Sequence, residues 1–379
     1  MEKIPVFKPL ITPDEIAVCK EALEAGWLGM GAYVGRFEEE LKRFLGAEDR
    51  QVVALSTGHA ALHLGLLLAG VGPGDEVITP SFNNIADFQA ILATGAAPVF
   101  CDINNDTLCL DLPQAAQLVG PRTKAIIAMD YDCLLCDHDA LTPFAQTHRL
   151  RVIHDAAHSF GSRYRGKMVG SFSDICMFSF DPVKTITCID GGALIVRTEA
   201  ERAALHEMRL IGMSQPAAVM YQNQRAWTYD VSRIGFRYHM ANLHAALGVA
   251  QLAKMPQISA SRRAACRYYS EHLSDVGEVT VPKADFAEVT PFLYYIRVPE
   301  ADRAPLRAFL SERGIDTGIH WQPGHWFTLF KDCRRGDLPV TERVGKEILS
   351  LPLHSMMCQT ALNRVIEAVK SFFQRRKSP

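Results

Sequence analysis

A two-domain α/β protein is what the sequence predicts: a large domain whose mostly parallel sheet is flanked by helices, then a smaller α+β C-terminal domain. Three observations point to it. Between about residues 50 and 200, short apolar and β-branched runs alternate with longer stretches of helical spacing, the pattern of buried parallel strands joined by helical crossovers. After about residue 240 the texture changes to long helical patterns around two short apolar runs. The length of 379 residues is about 2.5 nominal domains of roughly 150 residues, which suits a large domain over 1–245 and a small one over 246–379.

Taken in order, the strand candidates are QVVAL from residue 51, DEVIT from 75, APVFCD from 97, KAIIAMD from 124, LRVIHD from 150, DICMFSF from 174 and ALIV from 193. Between the first two, STGHAALHLGLLLAG reads as a helix with small residues at its start, stopped by GVGPGDE, where Gly and Pro prevent continuation. That strand, turn and helix resemble an anion site. In the second domain, ANLHAALGVAQLAKM and SASRRAACRYYSEHLSDV are two long helices, the first linking the domains; VTVP, FLYYIRVP and the helix APLRAFLSERG follow. The charge runs Glu38 to Glu40 and Arg334-Arg335 read as solvated surface.

Composition narrows the function. A hydrophobic fraction of 48% excludes a disordered chain, and 40 Lys+Arg against 42 Asp+Glu leave no basic surplus for nucleic acid. A small-molecule partner is the expectation. The opening MEKIPVFKPLITPDEI carries charges and prolines where a signal peptide needs an apolar core, and no apolar run is long enough to span a membrane. The ten cysteines lie mostly in apolar segments, as reduced thiols do, so the expected compartment is the cytoplasm. Cys133 and Cys136 form a CxxC without a second pair, and a closed zinc site needs four ligands; no metal is expected.

Two residues carry chemistry. Asp155 closes the strand LRVIHD, at the edge where open α/β sheets place ligands. Lys184 follows in FSFDPVKTITCIDGGALIV, in an irregular Pro-containing segment between two strands. A lysine in such an apolar neighbourhood is desolvated, which lowers its pKa and suits it to Schiff-base formation. A lysine and a carboxylate on adjacent strand ends have a known joint use with pyridoxal 5'-phosphate (PLP): one bonds the cofactor aldehyde, the other keeps the pyridine nitrogen protonated.

With these residues in view, the sequence resembles the DegT/StrS-type nucleotide-sugar aminotransferases, PLP enzymes of fold type I. The likeness runs through GWLGMGAYVGRFEEEL, GDEVITPSF, PRTKAIIAMDY, HDAAHSFGSRYRGKMVGSFSDICMFSFDPVKTITCIDGGA, YHMANLHAALGVAQL, IHWQPGHW and LSLPLH. It implies that Lys184 forms the internal aldimine and shuttles the proton, that Asp155 pairs with the pyridine nitrogen, and that His158 lies near the ring oxygen. Ser179 matches the hydroxyl that bonds the phosphate. Thr57, Gly58 and His59 match the phosphate-binding helix start, with His59 in place of the usual hydroxyl residue and the contact made through backbone. Where the family lays an aromatic ring over the cofactor, this chain has Asn84, with Phe82 two residues earlier; either Phe82 stacks or the amide covers the ring.

The resemblance also implies a homodimer with shared active sites. The family's G-x-N-Y-R-M motif appears as GFRYHM, so Arg237 stands for the Asn that reaches the neighbouring subunit's phosphate, and a bidentate cation serves there. His320, Trp321 and His325 in IHWQPGH, with Trp27, Met30 and Gly31 near the N-terminus, match regions that face the nucleotide-sugar. The expected reaction moves an amino group from L-glutamate to the 4-keto group of a nucleotide-linked 4-keto-6-deoxyhexose. VFKPLITPDEI, GWLGMG and GFRYHM resemble C4-acting members. The rivals are a C3-acting aminotransferase, a sugar dehydratase, which in this family carries His where Lys184 stands, and a PLP-binding regulatory homologue without turnover.

Overall fold

All seven apolar runs become strands of one sheet. The computed structural model describes residues 3–377. Its strands are β1 (Gln51–Leu55), β2 (Glu76–Pro80), β3 (Ala97–Cys101), β4 (Thr123–Met129), β5 (Arg151–Asp155), β6 (Arg163–Tyr164), β7 (Lys167–Met168), β8 (Ile175–Ser179), β9 (Gly192–Val196), β10 (Tyr294–Arg297) and β11 (Ile348–Leu351). The helices are α1 (Pro13–Glu24), α2 (Ala32–Leu45), α3 (Gly58–Leu68), α4 (Ile85–Ala93), α5 (Leu112–Leu118), α6 (His138–His148), α7 (Glu199–Arg209), α8 (Ala217–Tyr221), α9 (Asn242–Ala253), α10 (Met255–Leu273), α11 (Glu300–Ser311), α12 (Pro339–Glu347) and α13 (Gln359–Lys377).

The large sheet runs β1-β9-β8-β5-β4-β2-β3. Only β9 runs against its neighbours, β1 on one side and β8 on the other; the pairs β8·β5, β5·β4, β4·β2 and β2·β3 are parallel. Strands buried on both faces are apolar throughout because each side chain meets a helix layer whichever way it points. In β8, Ile175 and Met177 join the core under α3, while Cys176 and Phe178 join the core under α2 and α9. Complete burial of a side chain such as Phe178 contributes about 1.5–3 kcal/mol. Helix α3 is capped by Thr57, whose Oγ1 accepts from Ala60 N at 2.9 Å, and its residues 60–66 are buried all round.

The smaller core lies where Ala265, Cys266, Tyr269 and Leu273 of α10 meet the β10–β11 pair, α11 and α13. VTVP is not a strand of its own, contributing a single bridge from Thr280 to Arg297. The two regions interlock. Helix α9 packs in the large core with Met255 and Ile258 from the start of α10, and Ile4 N bonds Gly314 O at 2.8 Å while Leu353 N bonds Val6 O at 3.0 Å.

One charge run is not surface. Glu38 is buried, its Oε1 accepting from Arg209 Nη1 at 2.7 Å and from Ala54 N at 2.8 Å, its other oxygen from the Tyr221 hydroxyl. The hydrophobic period of α2 carries Glu38 inward beside Phe37 and Leu41, and Arg209 arrives from α7 to neutralise it. Removing one partner of a buried pair leaves an uncompensated charge. Glu38→Ala should therefore destabilise the fold by about 3–5 kcal/mol in chemical denaturation, while exposed Glu39→Ala should be nearly silent.

Candidate active site

Strand order decides what meets at the sheet's C-terminal edge. Asp155 pairs across to Met129 of β4 and Met177 of β5's other neighbour, β8, so it ends a central strand. It is 4% exposed, and its Oδ1 accepts from Ala157 N at 2.9 Å. Beside it a cavity of about 460 Å³ opens, lined by Asp155, Lys184, Ser179, His158 and the Thr57–His59 turn. These are the residues the sequence singles out, drawn from β5, β8, the loop after β8 and the start of α3.

Lys184 reaches in from the loop after β8, with Nζ 4.2 Å from the centroid of the Phe292 ring. Burial lowers its pKa to about 8, against the opposing pull of Asp155, Asp181 and Asp87. Burial likewise pushes the Asp155 carboxyl up, while the Ala157 N–H and Lys184 hold it down. His158 is 2% exposed, stacked on Trp321 (5.8 Å) and tilted against Phe292 (4.7 Å). Burial and the nearby Lys184 hold its pKa well below the usual range. Its Nδ1 accepts from Asp132 N at 3.4 Å, so in the neutral ring Nε2 carries the proton.

The other end of the cavity suits an anion. Helix geometry leaves the Gly58 and His59 N–H groups without intrahelical acceptors, at the positive end of the α3 dipole. Ser179 closes against them: a Cβ on Gly58 would stand 2.7 Å from Ser179 Cβ, and one on Gly192 would stand 2.4 Å from Thr57 O. Both glycines are required by this close approach. His59 turns its Nδ1 to Ala86 O at 3.2 Å, leaving the backbone to face an anion. Carboxylate, desolvated lysine and anion cradle together match the donor set that PLP requires.

Asn84 lines the cavity, and its Oδ1 caps α4 by accepting from Ala86 N at 2.9 Å. Phe82 does not. It is fully buried, 5.2 Å from the Tyr131 ring, within the core shared with the small domain. Of the two alternatives, stacking by Phe82 or cover by the Asn84 amide, the structure brings only Asn84 to the cavity. His320 and Trp321 line the cavity; His320 Nδ1 lies 2.8 Å from Ser350 Oγ and burial lowers its pKa to about 4. His325 does not line this cavity: it is buried, 2.8 Å from Ser81 Oγ and 3.3 Å from Glu342.

Trp27, Met30 and Arg237 line a second cleft of about 230 Å³, with His239 and Trp227. Gly31 N-caps α2, where a Cβ would meet Asn223 Oδ1 at 2.5 Å and Trp27 Cδ1 at 2.6 Å; it shapes that cleft's wall without lining it. Phe7, Asp87 and Phe292 are among the lining residues that the sequence reading did not single out. Phe7 and Phe292 stack at 5.3 Å, and Asp87 sits at the third position of α4. FLYYIRVP signalled only a strand, and nothing local in IADFQ distinguishes a buried carboxyl from a helix-start acid. Cys133 and Cys136 are buried free thiols.

A seven-stranded sheet with a carboxylate–lysine pair at its C-terminal edge defines an aminotransferase of fold type I. The chain belongs to the DegT/DnrJ/EryC1/StrS aminotransferase family, whose model matches residues 9–370. It is 35% identical over 376 residues to the spore coat polysaccharide biosynthesis protein SpsC of Bacillus subtilis (strain 168), covering 97% of this chain and 96% of that one. The aminotransferase TlmJ from Streptoalloteichus hindustanus superposes with a TM-score of 0.90 at 30% identity, over 99% of this chain and 100% of the other. Spr1654 from Streptococcus pneumoniae, solved in a PLP form, gives a TM-score of 0.90 at 26% identity over 98% and 99% of the two chains; it is also known in a PMP form. Among the described residues, no helix is long and apolar enough to cross a membrane.

Proposed function

We propose that this protein is a PLP-dependent aminotransferase that moves an amino group from L-glutamate to the 4-keto group of a nucleotide-linked 4-keto-6-deoxyhexose, acting in the cytoplasm as a homodimer with shared active sites. The observation that carries the reading is the meeting of Lys184, Asp155 and the Ser179–Gly58 cradle in one cavity. PLP, when bound, supplies an electron sink for the carbon that exchanges nitrogen. The chain's own residues do the rest. Asp155 holds a proton at the ring nitrogen, the α3 N-terminus and Ser179 hold the phosphate, and Lys184 moves a proton on and off the reacting carbon as general acid and base in both half-reactions. His158, neutral and proton-bearing at Nε2, is a donor toward the ring oxygen.

Kinship with SpsC, a polysaccharide biosynthesis protein, supports a sugar acceptor; preference for C4 rests on the opening segment and GFRYHM. Arg237 supports the dimer, because it lines a cleft apart from the cofactor cavity and so suits a ligand of the other subunit. Trp227 and Ile234 beside it are 88% and 84% exposed, as side chains covered by a second copy are in an isolated chain. The two chains would then place two cavities at one interface.

The test is a product assay: L-glutamate with dTDP-, UDP- and GDP-linked 4-keto-6-deoxy sugars, products identified by mass spectrometry. An amino sugar nitrogen-labelled from glutamate at C4 is expected. Amination at C3 only would move the reaction along the ring, and no product with any acceptor would favour the regulatory homologue. Two further outcomes are expected. Gly58→Ala should weaken PLP binding at least about tenfold in equilibrium dialysis, since loss of one charge-assisted contact costs on the order of 1.5 kcal/mol. In the cofactor-free protein, only the neutral Lys184 amine attacks an aldehyde. With its pKa at about 8, the rate of PLP uptake should rise about tenfold per pH unit from 6 toward 8 and then level off, followed by stopped-flow absorbance.

A further inference from the structure

The cavity holds a second carboxyl group that the proposed chemistry does not use. Asp87 is fully buried at the third position of α4 and lines the cavity beside Asp155 and Lys184. Its Oδ2 accepts from the Asn83 side-chain N–H, and the Asn83 orientation is fixed because Oδ1 of that amide accepts from Asn84 N at 2.6 Å. Asp87 Oδ1 is buried without a donor, and the carboxyl of Asp155 lines the same cavity. Two buried carboxyls that share one cavity resist ionising together, because each charge raises the cost of the other. A proton on Asp87 resolves both difficulties, giving Oδ1 a partner and leaving the pair with one negative charge.

We propose that Asp87 is held as a neutral acid that donates its proton in a hydrogen bond to the Asp155 carboxylate, making Asp87 a positioning residue that sets how strongly Asp155 grips the ring nitrogen of the cofactor. The role at the ring rests on the proposed PLP chemistry; the carboxyl pair does not. The charged groups acting on Asp87 are Asp155 from the end of β5 and Lys184 from the loop after β8, and the same cavity is lined by Asp181, Asp190 and the imidazoles of His59, His158 and His320. Burial, first, and Asp155, second, push the Asp87 carboxyl well above its ordinary range; Asn83 and Lys184 oppose the shift. The positive end of α4 also favours the anion, but a helix end offers less than burial and the repulsion from the Asp155 carboxylate take away.

The pair can be read without the cofactor. Infrared difference spectra of the cofactor-free protein at pH 7 should show a carboxylic-acid carbonyl band that disappears in Asp87→Asn. A carboxyl whose folded pKa is raised contributes stability below the unfolded value of about 4 and loses it as pH rises. Asp87→Asn keeps a donor and cannot ionise, so it should gain stability over the native protein increasingly from pH 5 to 8. Absence of the acid band, or a loss of stability in Asp87→Asn at pH 7 as an ionised Asp87 paired to Lys184 would give, overturns the pair. With PLP labelled at the ring nitrogen, Asp87→Asn should leave the nitrogen resonance and the Kd near native. Asp87→Ala should shift the resonance and raise Kd about tenfold, the worth of one hydrogen bond to a charged group. Equal behaviour of the two variants overturns the positioning role. An acid band in a protein that takes up no PLP leaves the pair standing and overturns the proposed cofactor; PLP uptake without the band overturns the pair alone.

Discussion

Lys184→Ala should abolish glutamate-dependent amination of a keto sugar, lowering kcat by about four orders of magnitude, the upper range for removal of a general acid–base that also holds the cofactor. The reason is position as much as chemistry. Lys184 is the amine the loop after β8 brings into the cavity, its Nζ over Phe292 and its pKa at about 8. The cradle of Gly58 and Ser179 and the carboxylate of Asp155 remain in the variant, so PLP should still bind, noncovalently and with the visible absorption of the free aldehyde. The measurement is single-turnover kinetics with a keto sugar alongside the absorption spectrum. Turnover within tenfold of native in this variant would sink the proposed mechanism. Small amines added to Lys184→Ala should restore a fraction of the rate, which a collapsed site would not allow.

The sheet was legible because its strands are buried on both faces. QVVAL, APVFCD and DICMFSF carry no polar alternation to confuse with a helix, and their spacing required crossovers. Asp155 and Lys184 were legible for the complementary reason: a charge at the end of such a strand stands out against apolar surroundings. What stayed hidden depends on side-chain direction. Glu38 sits in a run of three glutamates and nothing local separates it from Glu39, yet the turn of α2 points one inward to Arg209, 171 residues away in sequence, and the other to water. Phe82 and Asn84 are two residues apart, and which of them faces the cavity is set by the packing of Tyr131 under the turn. His325 shares a motif with His320, but it lies within a short 3-10 turn, Gly324–Trp326, where its ring meets Ser81. Asp87 is the same case in the site itself: a helix-start acid by sequence, a buried neighbour of Asp155 once β2 and β5 lie in one sheet.

Asp155→Asn should lower kcat by about 10²–10³-fold with little change in the KM for glutamate. Truncating the charge of one partner in a buried hydrogen-bonded pair costs on the order of 2–5 kcal/mol, and 1.4 kcal/mol is tenfold. The amide occupies the same volume and can still accept from Ala157 N, as Oδ1 does at 2.9 Å in the native chain, so the strand end keeps its shape. What it loses is the negative charge that, in the proposed chemistry, would keep a proton on the ring nitrogen of PLP, the proton on which the ring's capacity as an electron sink would depend. In the proposed reaction the loss should fall on the chemical step and not on substrate capture, which we assign to residues such as His320 and Trp321 that line the same cavity. Pre-steady-state half-reactions with glutamate and with keto sugar separate the two. A slowed chemical step in both halves is expected, whereas a weakened affinity with native single-turnover rates would assign Asp155 to packing and leave the cavity without its charge. The neighbouring Asp87 sharpens the comparison: in Asp155→Asn its proton has no carboxylate to bond, so Asp155→Asn combined with Asp87→Asn should be no slower than Asp155→Asn alone, the non-additivity expected of two groups that act as one.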